Sequence, residues 1–336
     1  MINYFLIIPI LASFMVTLLS LPNWIRRAKN AGLTGRDIQK IKKEEVAESG
    51  GVMVIAGFAL GVLSYVALKT FVLKDTEGLI EIFALLTTII LISYIAFTDD
   101  ILGWKIGLKK STRLALVVLA SVPLMAINAG ESLISLPFLG EINLGVIYPL
   151  ILIPLGIVGA TTTYNFLAGY NGLEAGQGIL ILSAVSAVAF FTGHAWLSII
   201  VLCMVVSLIA FLIYNMNPAK VFPGDSLTYS VGGLIAVAAI LGNFEKIAVF
   251  FFIPYIIETG LKFRGNLNKE SFSKVDKNGN LSLMYEKIYS LTHLSVYLWN
   301  MTRYKATENK VIFSIWIFQI ILIILGFIIF RNGIFG

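Results

Sequence analysis

The sequence predicts an all-α, polytopic integral membrane protein with about ten transmembrane helices. Of its 336 residues, 58% are hydrophobic and only 13% are charged, and the mean hydropathy is +0.88. Soluble domains contain about 25% charged residues, so this composition indicates a chain that lies mostly in lipid. Apolar segments recur along the whole chain and no linker rich in Pro, Gly or Ser divides it, which predicts a single membrane domain over residues 1–336.

Ten apolar segments approach the length of about 20 residues that spans a hydrocarbon core. They cover residues 2–22, 51–73, 79–98, 113–128, 144–164, 176–193, 195–214, 226–243, 247–263 and 311–330. The fourth segment is the weakest of the ten, because it is short and contains Pro123.

The basic residues between these segments predict the orientation of the chain, because cytoplasmic loops are enriched in Lys and Arg. The chain contains 25 Lys and Arg residues. If the segments alternate in direction, all of them lie on one side of the membrane apart from four, Lys69, Lys74, Lys246 and Arg331, which lie on the other. This places both termini outside and predicts five cytoplasmic loops, at residues 23–50, 98–112, 165–175, 215–225 and 264–310. Since these loops also hold most of the polar residues, we expect any catalytic chemistry on the cytoplasmic side.

Two of the cytoplasmic loops have local patterns of their own. The mixed charges of "AGLTGRDIQKIKKEEVAESGG" (31–51) predict a short helix before the second span. In "LSLMYEKIYSLTHLSVYLWN" (281–300), apolar and aromatic residues recur every three or four positions. This periodicity predicts an amphipathic helix that lies against the membrane or over a cleft.

Composition also excludes several classes of function. The net charge of +6 is explained by the topology, and no basic helix with interleaved aromatic residues is present, so we expect no nucleic-acid partner. The single cysteine, Cys203, excludes a disulfide framework and a thiolate metal site. The sequence contains no GxSxG, HExxH, Walker or dinucleotide-binding motif.

Two adjacent carboxylates, Asp99 and Asp100, follow the third apolar segment in "FTDDILGWKIGLKK" (97–110). Charged groups near membrane depth are costly and are usually paired or functional. Neighbouring residues on a helix point about 100° apart, so we expect different roles for the two side chains. The alternative is a solvated helix end with the nearby lysines as counter-charges.

Uncharged polar side chains and glycines are concentrated in "NFLAGYNGLEAGQ" (165–177). The amides of Asn165 and Asn171 offer both acceptors and donors, which suits coordination of a hard metal ion and recognition of a nucleobase edge. The glycines allow tight turns and close approach of a ligand to the backbone. The alternative is a turn between two helices with Asn caps.

Asp225 directly precedes the eighth span, in "VFPGDS" (221–226). An Asp at this position is either an N-cap, which accepts hydrogen bonds from free backbone N–H groups, or a metal ligand beside the positive end of a helix dipole. Taken together, the polar clusters that end spans three and five and begin span eight supply several oxygen ligands with a lysine nearby. This combination predicts a magnesium–diphosphate site, because Mg²⁺ prefers to share substrate phosphates and to keep water ligands.

These motifs resemble the signatures of the polyprenyl-phosphate N-acetylhexosamine-1-phosphate transferases. With "GLTGRDIQK" (32–40) and "ESGG" (48–51), the resemblance is to the eukaryotic and archaeal branch that acts on dolichyl phosphate, and it covers most of the chain. It implies transfer of N-acetylglucosamine 1-phosphate from UDP-N-acetylglucosamine to a polyprenyl phosphate in the bilayer, with release of UMP. The expected cofactor is Mg²⁺, with Mn²⁺ as an alternative.

The resemblance also implies roles for individual residues. Asn165 and Asp225 match the metal-binding positions, Lys109 matches the lysine that neutralises the donor phosphate, and Asp99 and Asp100 match the catalytic acidic pair. The positions expected at the nucleotide sugar are Glu48, Asn171, which matches the uracil-reading asparagine, Gly172, Glu174 and Arg264.

The chain departs from the family in the last cytoplasmic loop. An "HRxPR"-type element that helps recognise the acetamido sugar is replaced by "KFRGNLNKESFSKVDKNGNLSL" (262–283), in which Arg264 is the single arginine and no His occurs. This leaves open another UDP-N-acetylhexosamine donor, or an acceptor other than dolichyl phosphate. A secondary transporter is a more distant alternative, since such proteins place polar sites at mid-membrane depth. The sequence does not determine the oligomeric state, and a homodimer is kept as a candidate assembly.

Overall fold

The structure, a computed structural model, describes residues 4–136 and 140–336. Its helices are α1 (Ile7–Asn30), α2 (Gly51–Ala67), α3 (Leu79–Ile106), α4 (Lys110–Ala120), α5 (Val122–Ala126), α6 (Ile153–Tyr164), α7 (Leu173–Phe191), α8 (Ala195–Asn215), α9 (Gly224–Leu241), α10 (Glu245–Phe251), α11 (Ile253–Arg264), α12 (Leu291–Met301), α13 (Glu308–Ile329) and α14 (Arg331–Ile334). Short π-helical turns extend α2 to Leu73 and precede α6 from Tyr148, and a 3₁₀ turn, Tyr4–Leu6, precedes α1.

The all-α, polytopic class is confirmed. Among the described residues, seven helices are long and apolar enough to cross a membrane. The predicted fourth, fifth and ninth spans are present as shorter or interrupted helices. Proline explains the interruptions, because it lacks a backbone N–H and therefore favours the first turn of a helix. Pro123, Pro154 and Pro254 lie in the first turns of α5, α6 and α11.

Helix α9 is the centre of the bundle and packs against α2, α3, α6 and α10. Close approach between α6 and α9 depends on Gly232, because a Cβ atom at this position would lie 2.5 Å from the carbonyl oxygen of Ala160 and 2.8 Å from Cβ of Tyr164. Small residues allow membrane helices to approach this closely. The contact sets the spacing between the C-terminal end of α6 and the N-terminal end of α9, where Asn165 and Asp225 lie.

The helix predicted in residues 31–51 is wrong. This loop forms an antiparallel pair of strands, β1 (Thr34–Arg36) and β2 (Glu45–Ala47). The extended conformation is selected by a tertiary contact, since the carbonyl of Ala47 accepts a hydrogen bond from the N–H of Phe222 at 2.7 Å. Phe222 in turn accepts from the N–H of Gly50 at 2.9 Å, which ties the loop to the segment before α9.

The amphipathic helix predicted at residues 281–300 is confirmed only in its second half, as α12. The first half contains β6 (Leu281–Ser282), which pairs with β5 (Lys274–Val275). The remaining strands, β3 (Leu133–Leu136) and β4 (Gly140–Asn143), form a hairpin between α5 and α6. The N-terminus of α12 is fixed to α11, because the Glu258 carboxylate accepts hydrogen bonds from Leu291 N–H at 2.7 Å and from the Ser290 hydroxyl at 3.1 Å.

The packing of α6 on α9 generates a prediction about stability. We expect Gly232→Ala to lower the free energy of unfolding by about 1–3 kcal/mol, the usual cost of overpacking, because the added methyl group meets backbone atoms that cannot move aside. The measurement is thermal unfolding of the detergent-solubilised protein.

Gly260→Ala, in α11, is the matched control, because a Cβ atom at that position has no heavy atom within 4 Å. It should leave stability unchanged or raise it slightly, since alanine is the better helix former. Equal effects of the two substitutions would contradict the proposed role of Gly232.

Candidate active site

Asp100, near the end of α3, caps the first turn of α9. Its Oδ1 accepts a hydrogen bond from the N–H of Asp225 at 2.9 Å, and its Oδ2 accepts from the N–H of Ser226 at 3.3 Å. The first N–H groups of a helix otherwise lack partners and form the positive end of its dipole. Gly224 has φ +68° and lies against the Asp100 carboxylate, so a side chain there would displace it. Asp225 is therefore not the cap of its own helix.

Asp99 faces a different neighbour from Asp100, as the geometry of adjacent helical residues predicted. Its Oδ1 accepts from the N–H of Leu108 at 2.5 Å, and its Oδ2 lies 2.8 Å from Nη1 of Arg113. The chain can turn back in this way because Gly103, with φ 68°, interrupts the helix. The side chain of Asp99 is 14% exposed, which excludes the alternative of a freely solvated helix end.

Asp225 and Asn165 lie together, which their assignment to one metal site requires. Asp225 Oδ1 accepts from Asn165 Nδ2 at 3.1 Å, and Asn165 Oδ1 accepts from the Thr228 hydroxyl at 3.0 Å. Asp225 Oδ2 is 2.5 Å from Nη1 of Arg113. The two helix ends thus present an amide and a carboxylate to the same point.

Arg113 is the cation of this cluster, and sequence reasoning missed it. It lies on α4, contacts both Asp99 and Asp225, and has its guanidinium carbon 5.4 Å from the centre of the Tyr229 ring. The sequence offered only a basic residue at the edge of the fourth apolar segment. Lys109, the predicted phosphate ligand, is exposed at the N-cap position of α4, and its role remains a prediction.

A cavity of about 320 Å³ adjoins these carboxylates. It is lined by residues from four of the five predicted cytoplasmic loops, the last of them contributing Phe272. The lining includes Asp37, Glu48, Asn171, Glu174, Phe222 and Phe272 as well as Asn165 and Asp225. Three of the residues predicted at the nucleotide, Glu48, Asn171 and Glu174, are therefore brought together. Gly172 does not line the cavity. It has φ 91° and is the N-cap residue before α7, with its N–H donating to Asn215 Oδ1 at 3.0 Å.

Asn171 is held by two acidic residues that sequence reasoning did not assign. Its side-chain Nδ2 donates to Asp37 Oδ2 at 2.7 Å, and its backbone N–H donates to Glu308 Oε1 at 2.9 Å. Glu308 is paired with Lys40 in turn. Because Asp37 takes one amide N–H, the other side-chain atom of Asn171 is fixed as an acceptor. The sequence could have indicated Asp37 as a site residue, because it lies within "GLTGRDIQK", one of the motifs on which the resemblance rests.

Glu174 and Glu48 are acidic groups in the wall of the cavity. Glu174 is 4% exposed, and its Oε1 accepts from the N–H of Gly169 at 2.7 Å, while its Oε2 has no hydrogen-bond partner among the described residues. Burial, with further contributions from the charges of Asp225 and Glu174, raises the pKa of Glu48 to about 7. Near neutral pH, Glu48 can therefore hold or release a proton.

The last loop contributes Phe272 to the cavity, and Arg264 lies elsewhere. Phe272 packs on Gly169, where a Cβ atom would lie 2.8 Å from the ring. Its carbonyl is 3.0 Å from Nε2 of His293, and the neighbouring Ser271 carbonyl accepts from the Thr292 hydroxyl at 2.8 Å. Arg264 is exposed with its guanidinium 6.0 Å from the Tyr289 ring, so the sugar-recognition role predicted for it has no geometric support.

The donor set fits a magnesium ion that is shared with a substrate. No group of three His, Cys, Asp or Glu side chains in the described part of the chain is arranged to hold a metal alone. Asp225 offers a carboxylate, and Asn165 offers an amide oxygen once its amide group turns away from Thr228; both are hard ligands. Mg²⁺ typically takes one or two carboxylates together with phosphate oxygens and water, and these two residues would hold it in that manner.

The contacts of Asn171 generate a prediction. Asn171→Asp should lower the free energy of unfolding by about 3 kcal/mol or more, because it places a third carboxylate against Asp37 and Glu308. Adding Asp37→Asn to this variant should restore stability. The side chain at position 37 is then the amide donor and the side chain at position 171 is the carboxylate acceptor, so the hydrogen bond can form in the opposite direction. Thermal unfolding of both variants checks this.

Asp37→Asn alone is the control and should cost less than Asn171→Asp, because it introduces no additional charge. Failure of the double variant to recover stability would show that the pairing does not hold this loop.

The sequence is similar to a known protein family. A sequence model described as "Glycosyl transferase family 4" matches residues 82–243. A protein of Saccharolobus solfataricus, provisionally named UDP-N-acetylglucosamine--dolichyl-phosphate N-acetylglucosaminephosphotransferase, is 38% identical over 326 residues, which cover 95% of this chain and 96% of the relative.

More distant relatives include eukaryotic and bacterial enzymes. The UDP-N-acetylglucosamine--dolichyl-phosphate N-acetylglucosaminephosphotransferase of Dictyostelium discoideum is 30% identical, over 72% of this chain and 68% of the relative. A phospho-N-acetylmuramoyl-pentapeptide-transferase of Streptococcus pneumoniae is 28% identical, over 74% of this chain and 76% of the relative. The chain belongs to glycosyl transferase family 4.

Proposed function

We propose that this protein transfers N-acetylglucosamine 1-phosphate from UDP-N-acetylglucosamine to a polyprenyl phosphate of the dolichyl type, and releases UMP. The names of its relatives support both substrates. The structural observation that carries the proposal is the convergence of Asp225 and Asn165 at the edge of a cavity whose other wall contains Asn171. A metal-binding pair and a base-reading amide thus border one space.

The reaction exchanges one phosphoanhydride for another. An oxygen of the acceptor phosphate forms a bond to the phosphorus that carries the sugar, and the bond from that phosphorus to the bridging oxygen breaks, so that the electron pair leaves with UMP. Little covalent chemistry is required from the protein, and catalysis consists mainly of positioning and charge neutralisation. When bound, Mg²⁺ would supply charge neutralisation at the diphosphate.

The two adjacent aspartates are assigned different tasks in this proposal. Both oxygens of Asp100 accept hydrogen bonds from the first turn of α9, so Asp100 is a positioning residue that aims Asp225. Asp99 is paired with the guanidinium of Arg113, a cation that can stay in place and offset the negative charge of an approaching phosphate. We therefore assign to Asp99 the contact with the acceptor phosphate, where it would orient the phosphate or accept its remaining proton.

Asn171 and Glu48 are assigned to the nucleotide. The pairing of Asn171 with Asp37 leaves its Oδ1 as an acceptor, which complements the N3–H donor of uracil. Glu48, whose pKa is raised to about 7, can enter the complex protonated and donate a hydrogen bond beside the negatively charged donor. These contacts would select uridine without adding charge to the cavity.

A second, larger cavity supports a lipid acceptor. Its volume is about 950 Å³, and it runs between α6, α9, α10 and α11 with walls that are mostly apolar. Gly156 and Gly159 form part of one wall, and Thr163, two residues before Asn165, is near its end at the site. An isoprenoid chain that lies in this groove would have its phosphate close to Asp99 and Asp225.

The same proposal includes the orientation in the membrane. The site lies at the end of the bundle that contains most of the basic residues, so we place it in the cytoplasm with both termini outside. A transporter with a mid-membrane site is not supported, because the polar residues meet at one end of the helices and the relatives are transferases.

The test of the function is an assay with purified protein, polyprenyl phosphate, Mg²⁺ and labelled UDP-sugars, in which UMP release and lipid-linked sugar phosphate are both measured. We expect turnover with UDP-N-acetylglucosamine and none when EDTA removes the metal. Asp225→Ala should abolish turnover at every Mg²⁺ concentration, whereas Asp276→Ala, exposed in the β5–β6 turn, should not change it.

Absence of UMP release with every UDP-N-acetylhexosamine would contradict the transferase function. Preference for a UDP-sugar other than UDP-N-acetylglucosamine would retain the reaction and correct the donor; Phe272 lines the cavity and Arg264 does not.

The groove generates a separate prediction. Gly159→Leu should raise the KM for polyprenyl phosphate roughly tenfold, a loss of about 1.4 kcal/mol of binding free energy. A Cβ atom at Gly159 has no heavy atom within 4 Å, so the leucine side chain would extend into the groove and occupy space needed by the lipid. The KM for the UDP-sugar should not change.

Leu155→Phe is the control, since Leu155 is 63% exposed on α6 and does not line the groove. An unchanged acceptor KM in Gly159→Leu would place the lipid chain elsewhere.

A further inference from the structure

Arg113 occupies the point at which two carboxylates of the site face each other. The same nitrogen, Nη1, lies 2.8 Å from Asp99 Oδ2 and 2.5 Å from Asp225 Oδ2. The side chain is only 18% exposed, and the guanidinium stacks over Tyr229 at 5.4 Å. The guanidinium is therefore held in a partly buried site by three side chains from α3 and α9, and is not part of an exposed surface ion pair.

Both oxygens of Asp225 are thereby engaged. Oδ1 accepts from Asn165 Nδ2 and Oδ2 from Arg113. Asn165 can turn its amide and present its own oxygen to a metal, so it can change from partner to co-ligand. Arg113 has no acceptor atom and is always charged. A divalent cation and the guanidinium therefore cannot both contact Asp225 Oδ2 without strong repulsion.

The partner that Arg113 can retain is Asp99. Asp99 Oδ1 is anchored by the N–H of Leu108, and Leu108 lies five residues before Arg113 in the turn that leads into α4. Asp99, this turn and the guanidinium thus form one local unit, whereas Asp225 belongs to another helix. The contact that can open with the smallest rearrangement is the one between Arg113 and Asp225.

We propose that Arg113 is the resident counter-ion of the metal-free site: it holds Asp225 in place until the divalent metal arrives, then releases Asp225 and stays paired with Asp99. This rests on the proposed function, because it takes Asp225 as a metal ligand. Arg113 is a positioning residue in this scheme. It competes with the metal for Asp225 and prevents the two carboxylates from repelling each other while the site is empty of metal.

The competition has a consequence that an ordinary supporting role would not have. Removal of the guanidinium should strengthen binding of the metal alone, because Asp225 no longer has to give up a partner. It should also destabilise the metal-free protein, because Asp99 and Asp225 are left without a counter-charge. A residue that merely orients the ligands would give weaker metal binding when it is removed.

The experiment measures binding of Mn²⁺ without substrate, by electron paramagnetic resonance of free Mn²⁺ with the full chain in detergent, and the Tm in EDTA and in saturating Mn²⁺. For Arg113→Met we expect Mn²⁺ to bind about tenfold tighter or more, equivalent to about 1.4 kcal/mol. We also expect a lower Tm in EDTA, and a larger rise in Tm on adding Mn²⁺ than in the unaltered protein.

Arg113→Lys keeps the charge and is the second variant, which remains informative if Arg113→Met does not fold. Its Mn²⁺ affinity should lie between those of the unaltered protein and Arg113→Met, because a lysine ammonium keeps the competing charge but lacks the planar group that stacks on Tyr229 and holds the cation in place. Mn²⁺ binding that is unchanged or weaker in both variants would overturn the proposal.

Asp225→Asn separates this proposal from the proposed function. It should remove the effect of Arg113→Met on Mn²⁺ affinity, and persistence of the effect would overturn the competition for Asp225. Failure of the transferase itself would appear instead as absent UMP release by the unaltered protein, an independent measurement.

Discussion

The geometry of the site depends on one interaction, the Asp100 carboxylate at the N-terminus of α9. Helix α9 is the most buried of the spans described, at 83%, and a helix end enclosed in protein leaves N–H groups that need partners. Each such group left unpaired costs about 1–3 kcal/mol. Asp100 satisfies two of them from another helix. The contact fixes α3 against α9 and directs the next side chain, Asp225, toward Asn165 and Arg113.

The acidic groups around this point create a charge imbalance that the protein resolves in two ways. Asp99 and Asp225 share Arg113, which balances part of their charge. Glu48 can be balanced by protonation instead, since burial raises its pKa to about 7. A site with this excess of carboxylates attracts divalent cations, and a diphosphate bound to such a cation completes the neutralisation.

Carboxylates also hold the wall of the cavity that we assign to the nucleotide. Asp37 and Glu308 fix both the side chain and the backbone of Asn171, and Glu174 fixes the turn at Gly169. These partners come from three different segments of the chain, so the cavity is formed before any ligand enters. Preorganisation of this kind reduces the entropy that binding has to offset, and it suits a soluble nucleotide sugar that must meet a lipid substrate at the membrane surface.

The sequence by itself determined the membrane class, the number and approximate position of the apolar segments, and the kinds of ligands gathered in the loops, because hydropathy and loop composition are local properties. It also indicated Asn165, Asn171 and Asp225. Only the tertiary structure decided the partners. Asp100 and Asp225 are 125 residues apart in the chain, Arg113 and Asp225 are 112 apart, and Asp37 and Asn171 are 134 apart.

No periodicity encodes such pairings. The two pairings of Asp225 follow from how closely α6 and α9 pack at Gly232 and from the interruption of α3 at Gly103. For the same reason the chain could not reveal that Arg113, rather than Lys109, enters the carboxylate cluster. Both are basic residues near the start of one helix, separated by one turn, and the packing of that helix on α3 decides which of them faces the site.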